Sequence, residues 1–212
     1  RIAVYNKATM ADYSYSRMLI ASFILKEHLG KIKGKYIGIM LPTGAGCMLT
    51  VLGTLMKGKI PVMINYATGA IDNCLYAREK CQFKTIITSK KLMDKLNLQP
   101  IDHMIFVEDI LASVTTIAKL KAALTTKLPF HILKDMVHNG DLSEISVILF
   151  TSGSEKEPKA VQLSHRNILH NVTAFPNMIT LNENVDANGQ FLAAADAGTG
   201  DTEVNLACGG LS

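Results

Sequence analysis

Cysteine is scarce in this sequence, with four residues among 212, at positions 47, 74, 81 and 208. None forms a Cys-x-x-Cys pair, and no close Cys/His group has zinc spacing. So few thiols do not build a disulfide-stapled fold. The plain reading is buried, reduced thiols in a cytosolic protein. His165 and His170 stand five apart, on different faces of a helix, so they do not form a metal pair, and no metal ligands are assigned. Charged residues are also sparse, at 19%. The basic excess, 22 − 18 = +4, is small and spread along the chain, which gives no ground for a nucleic-acid partner. No signal peptide is visible, and no fixed-period repeat occurs before residue 180. The chain begins at Arg1 rather than Met, which reads as a piece of a longer polypeptide.

What is present is apolar. The hydrophobic fraction is 48%, which excludes a disordered chain. At this length a chain buries roughly 70% of the surface it exposes when unfolded, enough for one domain or one and a half. Residues 37–56 run for twenty positions without a charge, between Lys33 and Lys35 on one side and Lys57 and Lys59 on the other. A spanning helix needs about that length, so a membrane-tethered structural protein is one possible class. However, Pro42-Thr43-Gly44-Ala45-Gly46 breaks the run. A buried strand, a turn and a core helix account for it better.

Strand-like and helix-like runs alternate along the chain. A short strand is expected at Ala3–Tyr5. A helix should run from Tyr15 to Leu29, capped by Ser14 and stopped by Gly30 in the C′ manner. Strands are predicted at Tyr36–Leu41, Ile60–Asn65, Thr85–Thr88, Met104–Val107 and Ile145–Phe150. Helices are predicted at Ala45–Lys57, Ala70–Cys81, Lys90–Leu96 and Ile110–Leu124, with a polar connection over 129–144. Alternation of this kind argues for βαβ units, that is, an α/β fold with a largely parallel sheet flanked by helices. The uninterrupted apolar strands agree, because central parallel strands are buried on both faces. Ligands of such sheets sit beyond the carboxyl ends of the strands, which directs attention to the segment after Phe150.

That segment reads Thr151-Ser152-Gly153-Ser154-Glu155-Lys156-Glu157-Pro158-Lys159, followed by a strand and by Ser164-His165-Arg166-Asn167. Turn amides form an anion-binding concavity, hydroxyls add donors, Gly153 permits close backbone approach, and a lysine supplies positive charge. The composition suits a polyphosphate, and an ordinary polar turn between two strands fits it as well. It is not a Walker loop.

TSGSEKEPKAVQLSH resembles the phosphate loop of the adenylate-forming (AMP-binding, ANL) superfamily, close to T-S-G-[ST]-T/E-G-x-P-K-G followed by S-H-x-N. The matching positions are Thr151, Ser152, Gly153, Ser154, Glu155, Pro158, Lys159, Ser164, His165 and Asn167. LPTGAGCMLTVLGTLMKGKIPVMINY looks like the family's helix, Gly-Lys turn and Pro-Val strand. Pro61–Tyr66, Thr85–Ser89 and Phe106–Asp109 resemble one branch, the acyl-[acyl-carrier-protein] synthetase part of bacterial 2-acylglycerophosphoethanolamine acyltransferase. The resemblance covers residues 1–180 as a partial N-terminal adenylation domain, the front of that large domain, and leaves 181–212 as an unassigned tail.

The resemblance implies a ligase that binds ATP, Mg2+ and a fatty acid. The carboxylate would attack the α-phosphorus, pyrophosphate would leave, and the acyl group of acyl-AMP would pass to an acyl carrier protein or another thiol, feeding lysophospholipid acylation. Thr151, Ser152, Gly153, Ser154 and Glu155 would wrap the β- and γ-phosphates. Lys159 would neutralise pyrophosphate or anchor the loop. Lys156, which departs from the family's pattern, would offer its charge to phosphate in compensation. His165 would be structural. No catalytic residue is assigned. The implied location is cytoplasmic, or the cytoplasmic face of a bacterial inner membrane through other parts of the parent protein.

Two positions depart from the pattern, since Lys156 and Ala160 stand where the family has Gly. A lysine forced to positive φ at 156 would cost about 1 kcal/mol or more. Only 53 residues follow Lys159, too few for the family's later nucleotide-binding segments and lid. Gly200-Asp201-Thr202-Glu203 echoes the family's G-x-T-E, but it comes early. These departures motivate a second reading, a non-catalytic nucleotide-binding or interaction module.

Overall fold

The computed structural model describes residues 2–6, 11–151, 158–178, 180–185 and 191–194, with side chains from Ser14 to Thr151 and from Pro158 to Thr173. In chain order the elements are β1 (Ile2–Asn6), β2 (Ala11–Ser14), α1 (Tyr15–Leu29), β3 (Tyr36–Ile39), α2 (Ala45–Met56), β4 (Ile60–Met63), α3 (Ala70–Cys81), β5 (Ile86–Thr88) and α4 (Lys90–Lys95). Then follow β6 (Met104–Phe106), α5 (Val107–Ala112), α6 (Thr116–Thr125), α7 (Phe130–Asp135), β7 (Ile145–Phe150), β8 (Ala160–Ser164), α8 (His165–Met178), β9 (Thr180–Val185) and β10 (Phe191–Ala194).

Six strands form one sheet in the order β6-β5-β3-β4-β7-β8. Every pairing is parallel except β7 with β8. The chain starts at central β3, moves outward to β4, crosses back to β5, and later returns to β7 beside β4. Right-handed crossovers then place α2 and α3 on opposite faces. On one face Ile37, Ile39, Leu41 and Ile87 pack against Leu25 and Leu29 of α1, Leu49 of α2 and Ile110 of α5. On the other, Met40, Val62, Ile64, Ile86 and Ile148 pack against Ala70, Cys74 and Ala77 of α3, with Phe83, Leu92 and Met93. This is the α/β sheet the alternating runs predict. Separate antiparallel pairs, β1–β2 and β9–β10, stand outside it.

Two local features explain the register. Pro61 lies inside β4, yet the sheet tolerates it. Ile60 and Ile64 donate their N–H groups to Lys35 and Ile39 carbonyls of the β3 side, 2.8 and 2.9 Å away. In a parallel ladder alternate residues face alternate neighbours, so the missing N–H of Pro61 costs β3 no bond. Gly38, in β3, sits under the Phe83 ring. A Cβ there would lie 2.6 Å from Phe83 Cε2 and 3.1 Å from Ile64 Cδ1.

Three expectations need correction, and one strand was not expected. The helix expected at Ile110–Leu124 is two helices, α5 and α6, broken at Ser113–Thr115. Thr115 is extended (φ −68°, ψ 157°), and its hydroxyl accepts from the Ala118 N–H at 3.2 Å. A β-branched run, Val114 to Ile117, favours this restart over a continuous helix. Gly30 does not end α1 in a left-handed turn. It stays right-handed at φ −62°, and its N–H donates to the Lys26 carbonyl at 2.9 Å. The polar connection 129–144 contains α7, which begins directly after Pro129, a residue with fixed φ and no N–H to lose. β2 was not anticipated, because its four residues, Ala11–Ser14, are too short a run to stand out. Residues 37–56 form β3, a turn and α2, and among the described residues no helix is long and apolar enough to cross a membrane.

Candidate functional site

β7, between β4 and the edge strand β8, ends at Phe150, and β8 returns antiparallel to it, with Phe150 opposite Ala160. The connection therefore leaves the carboxyl end of a core strand, where open α/β sheets place ligands. Its two ends are tied together. The Thr151 N–H donates to the Lys159 carbonyl at 3.1 Å. The Lys159 N–H donates to Thr151 Oγ1 at 3.3 Å. Both residues are exposed. The second bond uses one lone pair of the Thr151 hydroxyl, whose O–H hydrogen is a separate donor. The backbones of Thr151 and Lys159 are thus held together at the mouth of the connection. Ser152, Gly153, Ser154, Glu155 and Lys156 lie outside the described residues, so two of the seven expected binding residues, Thr151 and Lys159, are placed here.

A residue that sequence reasoning missed meets both ends of the connection. Tyr76, on α3, donates its O–H to the Pro158 carbonyl at 2.9 Å. Its ring meets Phe150 edge-on, 5.9 Å between centroids at 69°. Nothing local in the sequence marks Tyr76. The usable signal is general: a partly buried tyrosine needs a partner for its hydroxyl.

The second family signature does not join the first. Ser164 lies opposite Ile145, at the far end of the β7–β8 pair. Four residue steps at about 3.3 Å each separate it from Ala160, roughly 13 Å. Its chemistry is helix capping. Ser164 Oγ accepts from the Asn167 N–H at 3.2 Å, and the Ser164 N–H donates back to Asn167 Oδ1 at 2.9 Å. This reciprocal arrangement starts α8 as a capping box does. The His165 and Arg166 N–H groups donate to the Glu144 and Leu142 carbonyls, at 3.0 and 2.8 Å. The S-H-x-N motif therefore orders the amino end of α8.

Other family-like segments also have structural work. The Gly58-Lys59 turn places Gly58 at φ +74°, a left-handed conformation that favours glycine. Lys59 Nζ donates to the Ile32 and Gly34 carbonyls at 2.8 and 2.6 Å, which ties the loop before β3 to the start of β4. Burial, with the Lys57 charge nearby, lowers the pKa of this ammonium. At the end of β5, Ser89 caps α4 and donates to Glu108 Oε1 at 2.8 Å, while the Lys90 N–H donates to Oε2 at 3.0 Å. Burial pushes the Glu108 carboxyl up, but these bonds outweigh it and hold the pKa below the ordinary value. Lys90 Nζ pairs with Asp109. Among the described residues no three His, Cys, Asp or Glu side chains gather as a metal site.

Comparison with known proteins identifies the family and the fold. A family model described as "AMP-binding enzyme" matches residues 3–199. The mouse protein long-chain-fatty-acid–CoA ligase ACSBG2 is 28% identical over 188 residues, which cover 84% of this chain and 28% of that protein. Bacitracin synthase 2 of Bacillus licheniformis is 35% identical over 68 residues, 32% of this chain and 3% of that one. The chain thus spans little more than a quarter of its ligase relative. Among solved structures, ATP-bound MatB of Rhodopseudomonas palustris superposes with TM-score 0.63 at 14% identity, covering 86% of this chain and 35% of that one. The N-terminal domain of FACL13 of Mycobacterium tuberculosis gives 0.63 at 17%, covering 85% and 44%. These likenesses show a shared fold, that of the N-terminal part of adenylate-forming enzymes. With the family match running over most of its length, the chain belongs to the AMP-binding enzyme family.

Proposed function

We propose that the full-length protein activates a fatty acid with ATP and Mg2+ and passes the acyl group to a thiol. A carboxylate oxygen attacks the α-phosphorus, the bridging P–O bond to the β-phosphate breaks, and pyrophosphate leaves. A thiol sulfur then attacks the acyl carbon of acyl-AMP, AMP leaves, and the thiol proton passes to water. Catalysis of this kind is positioning plus stabilisation of charge on phosphate oxygens. Thr151, Ser152, Gly153, Ser154 and Glu155 wrap the β- and γ-phosphates in this reading, with Lys156 and Lys159 as the cations. The observation that carries it is the closed mouth after β7, with Thr151 and Lys159 bonded across it at a strand's carboxyl end. A fatty acid as substrate is supported by the kinship to long-chain-fatty-acid–CoA ligases.

The acceptor has two candidates. The ligase relatives are named for CoA, whereas Pro61–Tyr66 and Phe106–Asp109 resemble the acyl-carrier-protein branch, which feeds lysophospholipid acylation at the cytoplasmic face of a membrane. We place residues 1–180 in the adenylation domain and leave 181–212 as a separate tail. The deciding experiment offers the full-length protein ATP, a long-chain fatty acid, and either CoA or acyl carrier protein. Fatty-acid-dependent ATP–pyrophosphate exchange is expected, with acyl transfer to one acceptor. Absence of exchange with any carboxylic acid refutes the activity. ATP binding without exchange favours the second reading, a nucleotide-binding module without turnover, for which Lys156 and Ala160 in the loop are the motive.

A further inference from the structure

We propose that Tyr76 is a positioning residue for phosphate binding: from α3 it holds both flanks of the β7–β8 connection and so sets where Thr151 and Lys159 stand. The inference rests on the reading of that connection as the ATP site. It is carried by two contacts of different kinds that converge from one side chain. The O–H reaches the Pro158 carbonyl at 2.9 Å, and Pro158 directly precedes Lys159. The ring edge meets Phe150 at 5.9 Å, and Phe150 directly precedes Thr151. A proline has no N–H to tie it down, so its carbonyl is its one backbone handle, and Tyr76 holds it.

The platform that carries Tyr76 is fixed. Ala70, Cys74 and Ala77 of α3 are buried against the sheet, Cys74 completely. Asn73, at the start of the same helix, donates Nδ2 to the Asn65 and Thr68 carbonyls at 3.0 and 2.7 Å. The segment after β4 and the mouth after β7 are therefore indexed to one helix. Without the Tyr76 hydroxyl, the bonds between Thr151 and Lys159 still join the two ends and the ring still meets Phe150, but the Lys159 side of the connection loses its tie to α3. Lys159 and the Thr151 hydroxyl then meet a phosphate chain less often in register, which weakens ATP binding and leaves the fatty-acid site untouched.

The test uses the full-length protein and its Tyr76→Phe variant, which keeps the ring and removes the donor. The expected result is a rise in KM for ATP of about two- to ten-fold, the range that one neutral hydrogen bond spans, with KM for the fatty acid unchanged and the melting temperature lowered by only a few degrees. Tyr76→Leu, which also removes the edge contact, should raise KM for ATP further. A second readout needs no activity: amide hydrogen exchange at Thr151 and Lys159 should quicken in Tyr76→Phe while Ile148, in the middle of β7, keeps its protection. Unchanged KM for ATP in Tyr76→Phe overturns the proposal. So does exchange that quickens equally at Ile148, because Tyr76 would then be a general packing residue. If the unmodified protein shows no fatty-acid-dependent exchange of ATP and pyrophosphate, the reading of the site fails. The amide measurement then decides separately whether Tyr76 holds the mouth.

Discussion

Gly38 and Phe83 should behave as one unit, because the strand has no room for a side chain where the ring lies. Gly38 has no positive φ, so backbone strain is not the reason for glycine there. Space is. A Cβ would sit 2.6 and 2.9 Å from Phe83 Cε2 and Cζ, well inside the contact distance of about 3.5–4.0 Å for carbon atoms. Phe83 is 5% exposed and belongs to the core on the α3 face, so its ring cannot swing into solvent without leaving a void. Gly38→Ala should cost about 1–3 kcal/mol, the usual penalty of overpacking. Phe83→Leu should cost about 1.5 kcal/mol through lost contacts. In the double variant the smaller side chain relieves the clash, and the total should fall short of the sum by about 1 kcal/mol or more. Urea titration reads this directly. With a slope of about 2 kcal/mol per molar, Gly38→Ala alone moves the midpoint down by roughly 0.5–1.5 M. Strict additivity in the double-mutant cycle would refute the argument, as would a stabilised Gly38→Ala.

Three further outcomes follow from single side chains. Glu108 caps α4 as a carboxylate with a lowered pKa. Its stabilisation is therefore full above the unfolded-state pKa and is lost as pH falls through the folded value, so Glu108→Gln should cost about 1 kcal/mol at pH 7 and little in the acid range where the wild-type group is protonated; an equal cost at both pH values contradicts the assignment. The Cys74 thiol is fully buried beside Met40 Sδ, 3.5 Å away, and burial raises its pKa to about 11; mass mapping after thiol labelling should find it modified only under denaturant, and native labelling as fast as at partly exposed Cys81 would contradict this. Ser164→Ala removes the hydroxyl from the α8 cap and should destabilise that helix by about 1 kcal/mol, seen as faster amide exchange at Asn167 with the β7 amides unchanged.

The sheet was legible because its strands are short apolar runs with nothing else to be. Ile37, Ile39, Ile60, Val62, Ile86 and Ile87 are all buried, and breakers such as Pro42 and Gly58 mark the turns between them. Helix limits were less legible where capping competes with periodicity. Thr115 could continue a helix or begin one, and only its extended backbone and its bond to Ala118 decide for the restart. The strand before the TSGS segment was legible as well, although β7 is less buried than its unbroken apolar run suggests, with Leu149 exposed. How the mouth is held was not. Tyr76 and Pro158 are 82 residues apart in the chain, and a parallel sheet with crossover helices is what brings them together. The roles of Ser164 and Asn167 were half legible: the sequence marks a cap, but only the antiparallel return of β8 shows it at the opposite end from Thr151.

The central claim is that the connection after Phe150 grips the phosphates of ATP during acyl-adenylate formation. The most direct measurement is fatty-acid-dependent ATP–pyrophosphate exchange by the full-length protein, compared with its Ser152→Ala/Ser154→Ala double variant. The account predicts robust exchange in the unmodified protein and a fall of about 100-fold or more in the variant, the effect of losing donors aimed at developing charge. Undiminished exchange in the double variant would contradict it.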